Sequence, residues 1–224
     1  MACGKARDAT AYQSAREYAE IGLSLLGENA WQRHYDMTLS FHNNLTDISW
    51  ICGDWDAMEK FINLVIQHSR SLLDQVHVYK IQIKAKIAQT QLKEATDIAQ
   101  DFLRKLGVIF PEPLTLKDTE VVTAEITKLI GDRDIEDLLN LPIMTDREKI
   151  ATIQIANSVI PAAYFSNFLL YPLLTSLSVK LSIQYGNIPE SAFGYVCYSI
   201  IVHNFWKQVD TGVKFAQLAL KLVD

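Results

Sequence analysis

Apolar residues recur at every third and fourth position along almost the whole chain. That period is one face of an α-helix. The period-two alternation of a half-buried strand is rare. Helices patterned this way must bury their stripes against other helices, so the fold class read here is all-α. Helical segments are predicted over 10–26, 31–52, 55–73, 76–90 and 91–106. The stretch 108–116, with Pro111 and Pro113, cannot continue a helix, because each proline removes a donor and restricts the residue before it. Beyond it, Thr115 with Asp118 predicts a helix start, and Gly131 a stop after Ile130. A short helix follows near 134–139. Thr145 with Glu148 reads as a capping box opening a helix to about Ile160, kinked or ended by Pro161. Further helices are expected over 172–185, 189–206 and 211–223, the last capped by Asp210.

A short template repeats. Gly53, Met58 and Phe61 align with Thr90, Ala95 and Ile98 at a period of 37. Thr10, Ala15 and Tyr18 fit it, as do Lys207, Gly212 and Phe215. Each is a turn followed by an inward small or apolar residue and then a larger one. Small residues at the middle position let two helices approach. The unit approximates a tetratricopeptide helix–turn–helix, whose period is about 34. The expected architecture is therefore antiparallel helix pairs stacked into a superhelix, with a non-repeating helical bundle as the alternative. Three stretches of one continuous array are expected: helical pairs over 1–107, a proline-containing connection over 108–144, and apolar helical pairs over 145–224. Both ends read as cuts through a longer array. The first helix starts close to Met1, and Ala216, Leu218, Ala219, Leu220, Leu222 and Val223 do not make a polar capping helix.

Charge is uneven. Residues 1–149 hold 40 charged side chains and residues 150–224 hold 7. The C-terminal third is thus more apolar than a surface, which predicts self-association through its helices. No charge falls between Ile150 and Val179, a length that reaches the ~20 residues of a membrane span. Pro161, Pro172 and a run of Ser, Thr, Asn and Gln interrupt it, so it reads as two buried helices, with a membrane-associated helical protein as the alternative. Cys3, Cys52 and Cys197 are odd in number and far apart, the pattern of reduced thiols in a cytoplasmic protein. The net charge of −5, without a basic block, argues against a nucleic-acid partner.

No constellation carries chemistry. Gly4-Lys5 lacks the rest of a phosphate-binding loop, and His34, His42, His68, His77 and His203 have no zinc spacing. Cys52 sits at a helix C-terminus, whose partial negative charge disfavours a thiolate. Asp54 with Asp56, and Glu136 with Asp137, read as solvated turn charges and not an acid–base pair. No catalytic residue, metal ligand or cofactor is assigned, and an enzyme with a site of dispersed residues is the alternative to a non-catalytic chain. Two surface candidates remain. His77, Lys80 and Lys84 share a helix face, either solvated or able to meet an anionic partner. Trp31, Tyr35 and Trp55 lie around one helix pair, either as bulky core positions or as the lining of a peptide groove.

Several islands carry a resemblance. They are Trp31-Gln32-Arg33-His34-Tyr35-Asp36-Met37-Thr38-Leu39, Gly53-Asp54-Trp55, and Leu103-Arg104-Lys105-Leu106-Gly107-Val108 with Pro111. With them go Asp137-Leu138-Leu139-Asn140-Leu141-Pro142-Ile143-Met144-Thr145-Asp146, the Ala162-Ala163-Tyr164 step, Tyr185-Gly186-Asn187 with Ala192, Phe193 and Tyr195, and Phe215-Ala216-Gln217-Leu218-Ala219-Leu220. Together they resemble the tetratricopeptide-like helical region of very large bacterial, notably cyanobacterial, signalling kinases. In that family a serine/threonine-kinase-like domain and an AAA-type ATPase precede the helical region. A GAF sensor domain and a histidine kinase or cyclase follow it. The resemblance implies a non-catalytic scaffold or regulatory region. Its partners would be other domains of the same signalling protein or a partner protein.

Overall fold

The computed structural model describes residues 2–223, and these are almost entirely helical. The helices are α1 (Ala2–Asp8), α2 (Tyr12–Leu26), α3 (Ala30–Arg33), α4 (Tyr35–Ile51), α5 (Trp55–His68), α6 (Leu72–Ala88), α7 (Leu92–Lys105), α8 (Leu116–Ile130), α9 (Arg147–Ser166), α10 (Leu170–Tyr185), α11 (Ser191–Asn204) and α12 (Val209–Lys221), with a 3₁₀ turn at Ile135–Asn140. Among the described residues the backbone pairing outside helices and turns is a single parallel bridge between Ile143 and Asn187. The fold is all-α, with helices packed in neighbouring pairs.

The chain forms two compact units, one ending at Gln89 and one starting at Thr90. In the first, α4 is central: α2, α5 and α6 pack on it, and α1 packs on α2. Its core includes two clusters among the described residues. Met58, Ile62, Val65, Val78, Ile81 and Ala85 form one, and Cys3, Ala19, Phe41 and Leu45 the other. In the second unit α10 is central, packed by α8, α9 and α11, while α7 lies on α9 and α12 on α11. Tyr171, Tyr195, Tyr198, Phe102 and Phe215 are its largest buried side chains.

The repeated template has a backbone counterpart. Its four leading residues, Thr10, Gly53, Thr90 and Lys207, all adopt positive φ, between 56° and 71°. The residue after each has nearly the same dihedrals: Ala11 (−83°, 64°), Asp54 (−86°, 78°), Gln91 (−86°, 59°) and Gln208 (−92°, 75°). A helix starts next, and the template's small or apolar residue is its fourth position. There Ala15, Met58, Ala95 and Gly212 are all buried. At Thr10 and Gly53 the preceding helix closes with a Schellman pair, Thr10 N–H to Arg7 C=O with Ala11 N–H to Ala6 C=O, and Gly53 N–H to Trp50 C=O with Asp54 N–H to Ser49 C=O. A β-branched residue in the left-handed region is strained by about 1–2 kcal/mol, part of which glycine would return as unfolded-chain entropy. Thr10→Gly is therefore expected to raise stability by about 0.5–1 kcal/mol, read as a later urea midpoint.

Close helix approach is set by glycine at three points. A Cβ on Gly22 of α2 would meet the Phe41 ring of α4 at 2.4 Å. One on Gly194 of α11 would meet Ser178 Oγ of α10 at 2.5 Å, and one on Gly212 of α12 would meet Ser199 O of α11 at 3.0 Å. The Lys214–Asp134 and Lys221–Glu136 pairs hold α12 to the 3₁₀ turn as well.

Several boundaries differ from the sequence reading. The segment 31–52 is not one helix: His34, at φ −134° and ψ 46°, separates α3 from α4. The N-cap of α9 is Asp146, not Thr145. Its carboxylate accepts from the N–H groups of Glu148 and Lys149 at 3.0 and 3.2 Å, which a residue one position earlier cannot reach. Helix α9 continues past Pro161 to Ser166. Gln208, not Asp210, caps α12, because the left-handed turn at Lys207 sets the start. The helical period puts Ala11, Ala15, Tyr18, Ala19, Leu25 and Leu26 near one face of the 10–26 segment, but only Ala15 and Ala19 of these are buried, while Tyr18 is 49% and Leu25 82% exposed. Ser71 and Asp74 form a capping box on α6 that the sequence reading missed.

The bridge at Asn187 ties two loops of the second unit. Asn187 N–H donates to Pro142 C=O at 2.8 Å, and Met144 N–H donates to Asn187 C=O at 3.0 Å. The Asn187 side chain donates from Nδ2 to Leu138 C=O at 2.7 Å and accepts at Oδ1 from the Tyr195 hydroxyl at 3.0 Å. Beside it, Ser191 Oγ accepts from Ile188 N–H at 3.0 Å and lies 2.7 Å from Ser182 Oγ.

Candidate interaction surface

The aromatic candidates of the first unit separate into two groups. Trp31, half-buried on α3, lies 5.8 Å from Tyr35, 4.8 Å from His42 and 5.0 Å from His68, on which it stacks. Tyr35 starts α4 and is buried. Its hydroxyl donates to Asp74 Oδ2 and accepts from Arg70 N–H, both at 2.8 Å, and the Arg70 guanidinium lies 4.0 Å above its ring. Burial pushes the Tyr35 phenol up from its ordinary value. The tyrosine thus locks the start of α4 to the turn before α6, since its hydroxyl reaches the carboxylate that caps that helix. Trp55 is 38% exposed at the start of α5 and is paired with Trp50, 5.6 Å away.

The stripe on α6 is also divided. His77 Nε2 lies 2.9 Å from Asp47 Oδ1 on α4, and Arg7 Nη1 reaches the other oxygen of the same carboxylate at 2.5 Å. His77 therefore faces an acid inside the unit. Lys80 is half-buried and Lys84 is exposed.

His42 is buried on the opposite side of α4. Its Nδ1 must carry the proton, because the neighbour 2.8 Å away is the Thr38 carbonyl, which only accepts. Burial lowers its pKa from the ordinary 6.5, opposed by the Thr38 carbonyl and aided by the charge of His68. The unfolded chain then takes up a proton at a pH where the folded chain does not, so stability present above about pH 6.5 is lost as pH falls. Urea midpoints at pH 7.5 and 5.5 should show this loss. His42→Leu should flatten it, and an unchanged pH slope in that variant would remove His42 as its source.

Cys197 is buried on α11, where burial pushes its thiol up to about 11, which disfavours the thiolate at neutral pH. Among the described residues no group of three His, Cys, Asp or Glu could hold a metal ion. Among the same residues no helix is long and apolar enough to cross a membrane.

The second unit carries a surface that the sequence indicated only in part. Helices α11 and α12 bound an open groove of about 570 Å³. Ala192, Ala216 and Ala219 are among its small lining residues. Phe193, Val196, Leu220 and Val223 are among its larger ones, and all four are exposed. Among the described residues no charged side chain lines it. The α12 half was legible as an apolar run through Ala216, Ala219 and Leu220. The α11 half was not, because α11 is apolar on every side and its period gives no direction.

Comparison of the chain with protein-family models, with curated proteins and with solved structures gives no match.

Proposed function

We propose that the chain is a non-catalytic helical-repeat module, stacked as a superhelix, that binds an amphipathic helix of a protein partner in the α11–α12 groove. The groove is the observation that carries this reading. It repeats the construction by which the unit already seats its own helices. In that construction a small residue lets backbones approach, as Gly194 does against α10 and Gly212 against α11. The uncharged lining favours an apolar helix stripe, which reads out as anchors at i, i+3 and i+7. The sequence islands extend the reading. They support a regulatory region of a signalling kinase in the cytoplasm, with the partner helix supplied by a neighbouring domain.

A peptide spanning Tyr12–Leu26 is a suitable probe, because Tyr18, Ile21 and Leu25 form an exposed stripe with that spacing. Labelled peptide should bind the chain saturably in fluorescence anisotropy. Ala216→Arg should abolish binding while circular dichroism stays unchanged. Absence of binding, or binding unaffected by the arginine, would overturn the docking role. ATP hydrolysis or phosphotransfer by the purified chain would overturn the non-catalytic one.

A further inference from the structure

Helix α2 carries a second apolar face. The helix packs on α1 and α4 and buries Ala15 and Ala19. Tyr18, Ile21 and Leu25 lie on another side of it, three and four residues apart, and all three are exposed. Single exposed apolar residues are ordinary. Three in register on one helix face are the pattern of a contact surface.

This stripe and the α11–α12 groove match in length, relief and charge. Tyr18 and Leu25 are seven positions apart, as are Ala216 and Val223 in the groove, so both cover about 10 Å at a helical rise. The stripe is a ridge of large side chains, and the groove is built over Ala192, Ala216 and Ala219, so large residues of one meet small residues of the other. The stripe is uncharged, like the described lining of the groove. The two lysines of α12, Lys214 and Lys221, are already paired with Asp134 and Glu136, so the groove asks for no counter-charge. Every copy of the chain carries both features. One contact between copies covers a stripe and a groove together, whereas a foreign helix would fill the groove and leave the stripe in water.

We infer that the groove takes helix α2 of a second copy of this chain. The inference rests on the groove reading above and names the occupant. The contact is heterologous: one copy gives its stripe and the other its groove, so each copy keeps one more surface for a further contact.

Sedimentation equilibrium of the full chain at about 100 µM tests this, a concentration suited to a contact of one helix face at the small end of interface sizes. The mass should reach that of a dimer or more. Leu25→Arg disables the stripe and Ala216→Arg the groove, each by setting an unpaired charge in an apolar contact, and each variant alone should be monomeric. The two variants mixed should form a 1:1 complex that grows no further, because one intact stripe and one intact groove remain between them. Circular dichroism checks both folds. Leu220→Arg, at an exposed lining position, replaces Ala216→Arg should that variant be misfolded. A monomeric parent chain, either variant still self-associating, or a mixture that stays monomeric would each overturn the inference. A monomeric parent that still binds the Tyr12–Leu26 peptide would overturn the second copy and leave the groove reading standing, whereas a chain that does neither loses both.

Discussion

Gly186→Ala is expected to destabilise the second unit by about 3–5 kcal/mol, the sum of a left-handed penalty and an overpacking term. Gly186 has φ +107°. A Cβ there would stand 2.1 Å from the Pro142 carbonyl oxygen and 3.1 Å from Met144 N. Both neighbours are backbone, and the bridge to Asn187 holds both, so no side-chain rotation relieves the contact. Gly22→Ala provides the comparison. Its 2.4 Å contact is with the far edge of the Phe41 ring, which can swing, and its φ is not in the positive region, so a smaller loss is expected. Urea unfolding of both variants gives the order. A loss below about 1 kcal/mol at Gly186 would mean that the two loops are free to part, contrary to the bridge.

Asn187→Ala is the second large effect. It removes the donor to Leu138 C=O and the acceptor of the Tyr195 hydroxyl, leaving two groups without those partners at about 1–3 kcal/mol each. A total near 3 kcal/mol follows. Tyr195→Phe removes one of the same bonds, so the two changes should not add. A double-mutant cycle should return a coupling of about 1 kcal/mol, and strict additivity would contradict the shared hydrogen bond. Asn187→Asp keeps the acceptor but sets a carboxylate against the Leu138 carbonyl. It should be worse than alanine at neutral pH.

Much of the helical frame was legible because local chemistry decides it. The Thr115–Asp118 capping box and the Gly131 stop are properties of a few adjacent residues, and both stand where the sequence puts them. The repeat template was legible for a similar reason: a left-handed joint followed by a small residue leaves a trace even when only one of its four leading residues is glycine. The errors arise where tertiary contacts or near-equivalent residues compete. Thr145 and Asp146 are both good caps, and one position separates them. His34 breaks a segment whose apolar period continues through it. Tyr18 and Leu25 share a helix with the buried alanines, but they stay exposed because the alanines alone meet the core. The groove was the least legible feature. Helix α11 carries apolar residues around most of its circumference, so which face stays open is decided by its neighbours.

Three of the four left-handed joints are built from threonine or lysine, residues that resist the conformation they hold. Each such joint lies closer to its breaking point than the helices on either side. Under tension between its ends, the chain should therefore extend in discrete steps, with the joints at Thr10, Thr90 and Lys207 opening before any helix unwinds. The glycine joint at Gly53 should hold longer. On this expectation the resistance to extension depends on three side chains, and replacing each with glycine should shift the force at which its own step occurs.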